Sequence, residues 1–128
     1  LSAWSRFAGE PYCYLTTTGR VSGRPHQIEI WFAIDGGTLY MLSGGGERSD
    51  WVKNLRRTPA VTVELGSCRF EGRARIVEGA AEDERARGLV HDKYAGSDAG
   101  DLSGWRRSAL PIAVALERDQ PTTEGGSQ

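Results

Sequence analysis

The chain is poor in the residue types on which simple catalytic or structural assignments rest: among 128 residues there are two cysteines, two histidines and one methionine. Cys13 and Cys68 lie far apart and form no CxxC pair, so neither a zinc knuckle nor a dithiol redox motif is present. Each falls in a segment that reads as a strand, where a free thiol packs as a small hydrophobe; a reducing compartment is the weak implication. Charge of one sign is missing as well. Sixteen Lys and Arg against 17 Asp and Glu leave a net charge of −1, which removes the global basic field that nucleic acid or an anionic membrane surface requires. Any anion site must therefore be local. No apolar run approaches the roughly 20 residues that span a bilayer, and no secretory signal pattern is visible. GxSxG and GxxxxGK[ST] are both absent. His26 and Glu29, three apart on a strand, point to opposite faces and cannot converge on a metal or a proton. His91 falls opposite the apolar stripe of its helix, where solvent is expected. A metal site and a histidine-centred hydrolase are thus excluded. The chain opens on Leu1 rather than Met, as expected of a fragment, and carries no internal repeat.

The residues that remain, 38% hydrophobic and 26% charged, describe one ordinary globular domain with a modest core. Residues 1–8 suit a short helix turning Trp4 and Phe7 inward. β-branched and aromatic residues predict strands over 12–18, 26–34, 38–43, 60–65, 68–77 and 111–117. Asp35-Gly36-Gly37 and Gly66-Ser67 close two antiparallel hairpins. In the fifth strand Cys68, Phe70, Gly72, Ala74 and Ile76 face inward and the arginines outward. Ser49 is placed to cap a helix that ends before Pro59, with Trp51, Val52 and Leu55 as its buried stripe. A second helix covers 81–94 with Ala86, Leu89, Val90 and Tyr94 on one face, followed by a Gly/Ser/Asp-rich loop over 95–104. Six strands joined mostly by short turns, with two or three helices, predict a mainly β (α+β) antiparallel barrel or curled sheet. The domain is expected to occupy residues 1–118, with 119–128 a flexible tail.

Two segments carry chemistry. In GGGERSDWVKN a strand ends in three glycines and leads to a helix N-terminus, where unobstructed backbone N–H groups and the helix dipole favour an anion. A flexible turn explains three glycines alone equally well; Arg48 beside them tips the balance. In GRVSGRP, Arg20 and Arg24 have the planar guanidinium that chelates phosphate or carboxylate, although a solvated hairpin loop has the same composition. The strand that follows places Glu29 and Trp31 on one face and Ile28, Ile30 and Phe32 on the other. Trp51 and Asn54 share a helix face. The indole suits the core, and the amide suits a bond to a loop backbone or a tie to neighbouring elements. Tyr94, before a glycine-rich loop, fits either the core or the lip of a pocket.

Taken in order, LTTTGRVSGRP, IEIWF, the strand into SGGG and DWVKNLRRTPAVTV resemble the deazaflavin-dependent nitroreductase and quinone reductase family over residues 12–117. The resemblance implies a six-stranded split β-barrel, similar to the pyridoxamine-phosphate oxidase and flavin-reductase barrels. It also implies coenzyme F420, a 5-deazaflavin with a phosphate and a polyglutamate tail. By the same resemblance Arg20, Ser22, Gly23 and Arg24 approach the anionic parts of the cofactor, and Ile28, Glu29, Ile30 and Trp31 line its ring. Ser43, Gly44, Gly45 and Arg48 hold the phosphate, with Trp51 and Asn54 on the helix beyond. For the accompanying proton Tyr94 is a candidate donor, and solvent would serve as well. This chain has Gly44 where relatives often carry lysine, Ser49-Asp50 where many have proline before the tryptophan, and only Tyr94 of a tyrosine-rich stretch. The expected activity is hydride transfer from reduced deazaflavin to a small-molecule acceptor: a quinone, an activated alkene or a nitro compound. The alternatives are an FMN-binding reductase or oxidase and a non-enzymatic barrel for a fatty acid or other lipid. The cytoplasm is the default location, membrane association occurs among relatives, and a homodimer is one assembly that related barrels adopt.

Overall fold

The structure, a computed structural model, describes residues 4–96 and 100–117; the expected tail over 119–128 and the start of the N-terminal helix lie outside the described residues. The strands are β1 (Cys13–Thr18), β2 (Pro25–Ile30), β3 (Ala33–Asp35), β4 (Thr38–Ser43), β5 (Ala60–Leu65), β6 (Cys68–Ile76) and β7 (Leu110–Leu116); the helices are α1 (Asp50–Arg57), α2 (Ala80–Tyr94) and α3 (Ser103–Ser108). Single 3-10 turns form at Ser5–Phe7 and Gly46–Arg48. All strands join one sheet in the order β2-β1-β5-β6-β7-β4-β3, and every pairing is antiparallel. The outermost strands, β2 and β3, are separated in the chain only by Trp31 and Phe32, so the curled sheet comes round on itself as a split barrel.

That closure explains why the sheet has seven strands rather than the expected six. The segment predicted as one strand over 26–34 serves both ends of the sheet: Ile30 pairs with Cys13 on β1, whereas Ala33 pairs with Tyr40 on β4. A single straight strand cannot do both, and the chain breaks between them. β-forming residues run through the break without interruption, so nothing in local propensity marks it. Two backbone groups freed there find a side chain instead. The Tyr94 hydroxyl accepts from the Phe32 N–H at 3.1 Å, and its own proton faces the carbonyls of Pro11 at 2.8 Å and Phe32 at 3.2 Å.

Two cores follow from strand alternation. Leu15, Phe32, Leu39, Met41, Val63, Phe70, Ile112 and Val114 fill the barrel interior, joined by Val52 and Leu55 of α1. Tyr40, Leu42 and Ala113 point outward from the sheet and are covered by Ala86, Val90 and Tyr94 of α2. β4 is consequently buried on both faces. α2 is also tied to the sheet by charge. Glu82 accepts from the Tyr40 hydroxyl at 2.7 Å and from both terminal nitrogens of Arg75 at 2.9 and 2.7 Å. The Arg75 bonds, then the Tyr40 bond, hold the Glu82 carboxyl down at about 2.

Helix α3 lies partly in the segment expected to be a loop and partly just beyond it. Its composition, SGWRRS, is a poor helix former, but tertiary contacts supply what propensity lacks. Trp105 meets Trp31 edge-on at 5.8 Å, and Arg87 of α2 donates to the carbonyls of Arg106 at 2.5 Å and Arg107 at 3.0 Å, satisfying the open C-terminal end. Docked on α2, α3 also helps to enclose His91, which lines the groove between the two helices rather than standing in solvent.

Lys93, on the same helix, is an unusual inclusion. Its Nζ lies 3.6 Å from the centre of the Phe32 ring and is buried with no hydrogen-bond partner among the described residues. Burial lowers its pKa from 10.5 to about 8, so the folded state disfavours the ammonium form below pH 8 and the handicap disappears as pH rises towards 10.5. Lys93→Met is therefore expected to be more stable than wild type at neutral pH, with the difference shrinking between pH 8 and 10.5. Thermal midpoints measured across that range check it, and a variant less stable at pH 7 contradicts it.

Candidate functional site

The site begins with the loop after β1. Gly19 and Arg24 close it, the Gly19 N–H donating to the Arg24 carbonyl at 2.8 Å and the Gly23 N–H to the Gly19 carbonyl at 2.9 Å. A Cβ on Gly19 would lie 2.6 Å from His26 Nε2 and 2.8 Å from Ser22 Oγ, and Gly23 has φ of +74°. Gly23 is therefore a conformational requirement, whereas a side chain at Gly19 would displace the His26 and Ser22 side chains. The loop is a compact hydrogen-bonded turn, not a floppy basic flap.

Its first arginine turns inward. The Arg20 N–H and Arg20 Nη1 both donate to Asn54 Oδ1, at 3.1 and 2.9 Å, while Arg20 Nη2 reaches Asp50 Oδ1 at 3.1 Å. Asn54, only 4% exposed, uses its Nδ2 to donate to Thr17 Oγ1 at 3.2 Å. The amide so locks the loop and the end of β1 onto α1. Val52 and Leu55 are buried as expected and Asn54 makes the loop-backbone tie its amide suits, buried beside them, whereas Trp51 packs on the core and is only half-buried. The reason is geometric, since the barrel end offers buried polar backbone and hydroxyl groups that an indole cannot satisfy. Between loop, strand and helix lies a cleft of about 500 Å³ lined by Gly19, Arg20, Ser22, His26, Ile28, Asp50, Trp51 and Asn54, among others.

Arg24 and Gly23 are not part of that lining. Arg24 is exposed on the outer side of the loop, so the two arginines do not converge on one anion as the sequence suggests. No ion pair of Arg24 or Arg48 occurs among the described residues.

A second opening, about 510 Å³, lies further along β2 and is lined by Glu29, Ile30, Trp31, Leu42, Leu102 and Trp105. Its aromatic wall is held rigid. Trp31 stacks on Tyr94 with ring centres 4.2 Å apart and planes 6° from parallel, and Tyr94 is anchored by the three backbone bonds described above. Tyr94 itself is a core residue, 8% exposed, with burial pushing its phenol pKa up. A hydroxyl whose proton and lone pairs are engaged with Pro11 and Phe32 is not available to protonate a bound acceptor, which corrects the expectation of a donor there.

A third opening, about 640 Å³, is lined by Gly44, Gly45, Gly46, Glu47, Arg48, Ser49 and Ser108, with the Glu47 carboxylate paired to Arg56. The glycines do not run directly into α1; a 3-10 turn intervenes. Ser43, 1% exposed, organises this loop from below, donating to the Gly46 carbonyl at 3.0 Å and meeting Ser49 Oγ at 2.9 Å. Because Ser49 leans towards Ser43, a Cβ on Gly45 would fall 2.4 Å from Ser49 Oγ.

Several lining residues escaped the sequence reading, Asp50, Leu102 and Trp105 among them. Asp50 stands out only once α1 is seen against Arg20. Leu102 and Trp105 are brought to Trp31 by a helix that propensity does not announce, although a tryptophan beside a glycine-rich loop was a usable signal.

A single antiparallel sheet, curled into a split barrel through the break between β2 and β3 and flanked by helices, is the fold that carries these openings. The solved structure of an F420-H2-dependent reductase, FDR-A, superposes with a TM-score of 0.67 at 23% identity over 84% of this chain and 94% of that one. A pyridoxamine 5'-phosphate oxidase-like protein from Listeria innocua gives 0.64 at 23% identity, covering 88% of each chain. In sequence, the chain is 25% identical over 111 residues, 84% of its own length and 91% of the other, to Rv3178 of Mycobacterium tuberculosis, by its name a candidate F420H(2)-dependent quinone reductase. The model of the F420H(2)-dependent quinone reductase family matches residues 3–117. The chain belongs to that family.

Proposed function

We propose that this protein is an F420H2-dependent oxidoreductase that delivers hydride to an electron-poor planar acceptor, a quinone first and an activated alkene or nitro compound next. The observation that carries the reading is that β2 walls two different openings. His26 and Ile28 face the cleft at Arg20, and Glu29, Ile30 and Trp31 face the aromatic pocket. Ile28 and Trp31 are three residues apart, about 10 Å along a strand. The two side chains lie on opposite faces of the strand, so a ligand with an anionic chain and a flat head reaches both by crossing the open edge of β2, the outermost strand of the sheet.

The residues present fit such a group. Gly44 keeps its backbone open, since a Cβ there meets only Trp105, at 3.8 Å, and Arg24 and Arg48, which make no ion pair among the described residues, supply charge for phosphate and carboxylates. Bound reduced deazaflavin would supply the hydride. The chain's own part is placement and exclusion of water. Trp31, supported from behind by Tyr94, gives a planar acceptor a fixed surface, and Ile30, Leu42 and Leu102 add apolar wall beside the Glu29 carboxylate. Solvent supplies the proton, because the Tyr94 hydroxyl is engaged. The barrel interior, occupied by Leu15, Phe32, Met41 and their neighbours, weighs against a lipid-carrying role. FMN shares the ribityl phosphate, so the test must separate the two cofactors.

Titration of the purified protein with oxidised F420 is expected to quench its fluorescence saturably in the micromolar range. FMN should bind more weakly, and an Arg24→Ala/Arg48→Ala variant should lose at least tenfold in F420 affinity. Absence of saturable binding by both cofactors overturns the reading.

A further inference from the structure

The cleft at Arg20 carries a feature that a simple anion site would not have. Asp50, the first residue of α1, places a carboxylate at its mouth. Asp50 Oδ1 accepts from Arg20 Nη2 at 3.1 Å, and the Asp50 carbonyl is 3.5 Å from Arg20 Nη1. The two partners differ in confinement: the Arg20 side chain is 32% exposed and that of Asp50 85%. Asn54 holds the guanidinium from the buried side, so Arg20 is fixed whether or not Asp50 remains. Asp50 is the exposed member, in a position where the helix N-terminus favours a negative side chain. Apart from His26, Arg20 and Asp50 are the ionisable residues lining the cleft, and their charges cancel.

We propose that Asp50 is a resident counter-ion that sets how much negative charge this cleft accepts. In the free protein it occupies the Arg20 guanidinium. An incoming phosphate or carboxylate must displace it and then bind beside it, since α1 holds the carboxylate nearby. An exposed ion pair is weak enough to be displaced, and the displaced carboxylate still repels every anionic group within a screening length. The penalty grows with ligand charge. The cleft therefore tolerates a singly charged or hydroxyl-bearing stretch of ligand and turns away a polyanionic one, which is left to Arg24 and Arg48 outside it. Asp50 acts as a specificity determinant for the ligand's charge, and this assignment rests on the cofactor reading of the cleft given above.

The test uses the full chain, with wild type and Asp50→Asn titrated with inorganic pyrophosphate and separately with oxidised F420. Trp51, which lines the cleft, reports the first by intrinsic fluorescence, and F420 emission reports the second. Asp50→Asn is expected to bind both ligands at least fivefold more tightly than wild type at about 20 mM NaCl, with the advantage falling towards unity at about 500 mM as screening shortens. Equal or weaker binding by the variant at low salt, or an advantage that salt does not reduce, overturns the proposal. The pyrophosphate arm separates the two claims. Tighter pyrophosphate binding with no F420 binding by either protein keeps the counter-ion role and removes the cofactor. Equal F420 affinity in both proteins removes the counter-ion role and keeps the cofactor. Asp50→Ser, small and tolerated at a helix start, repeats the measurement should the asparagine variant fold poorly.

Discussion

Replacing Asn54 with alanine is expected to destabilise the protein by about 2–3 kcal/mol, the magnitude of losing several buried hydrogen bonds at once, and to weaken F420 binding by at least tenfold. The amide is the joint between three elements: its oxygen takes two donors from Arg20 and its nitrogen reaches Thr17 on β1. Truncation strands the Arg20 N–H and the Thr17 hydroxyl and frees the guanidinium from its buried side. The loop after β1 then loses its fixed position over the cleft, so binding falls by more than the lost contacts with any ligand. Asn54→Asp, which retains acceptors for Arg20 and loses the donor to Thr17, should recover part of the stability but not the F420 affinity, because it sets a second carboxylate beside Arg20. Urea denaturation and F420 titration of the two variants check this. Unchanged stability in the alanine variant would mean that the loop is held by other contacts.

Tyr94→Phe carries the second large effect. The hydroxyl is the partner of the Phe32 N–H at the break between β2 and β3 and donates to the carbonyl of Pro11 or Phe32. Phenylalanine preserves the stack on Trp31 and leaves those backbone groups buried without a partner, a loss of roughly 1–3 kcal/mol. The expected result is a lower denaturation midpoint with turnover per folded molecule nearly unchanged. A large fall in kcat at unaltered stability would return the hydroxyl to the chemistry and contradict its structural role. The pair of variants thus tests opposite ends of α1 and α2: one anchors the anionic cleft, the other the aromatic pocket.

Much of this was legible in the chain because it depends on local order. Gly36 and Gly66, both with positive φ, mark hairpin turns that any reading of Asp35-Gly36-Gly37 and Gly66-Ser67 recovers. Strict alternation along β6 announces which residues enter the barrel, and the pattern on α2 identifies Ala86, Val90 and Tyr94 as its buried face. The family resemblance rests on the same kind of information, motifs in a fixed order, and the family match over residues 3–117 agrees with it.

What the sequence by itself determined is therefore the class of fold, the turn chemistry, the periodic faces and the family. Tertiary contacts set where the long second strand breaks, that SGWRRS is helical, that Asn54 is buried while Trp51 is only partly so, and that Arg20 is paired with Asp50. Each of these depends on groups distant in the chain: Phe32 with Tyr94 62 residues away, Arg20 with Asp50 30 residues away. The physical reason is common to them. Propensity and periodicity report the preference of a segment for its own conformation, whereas a buried backbone group or a guanidinium settles on whichever partner the closed barrel brings within about 3 Å.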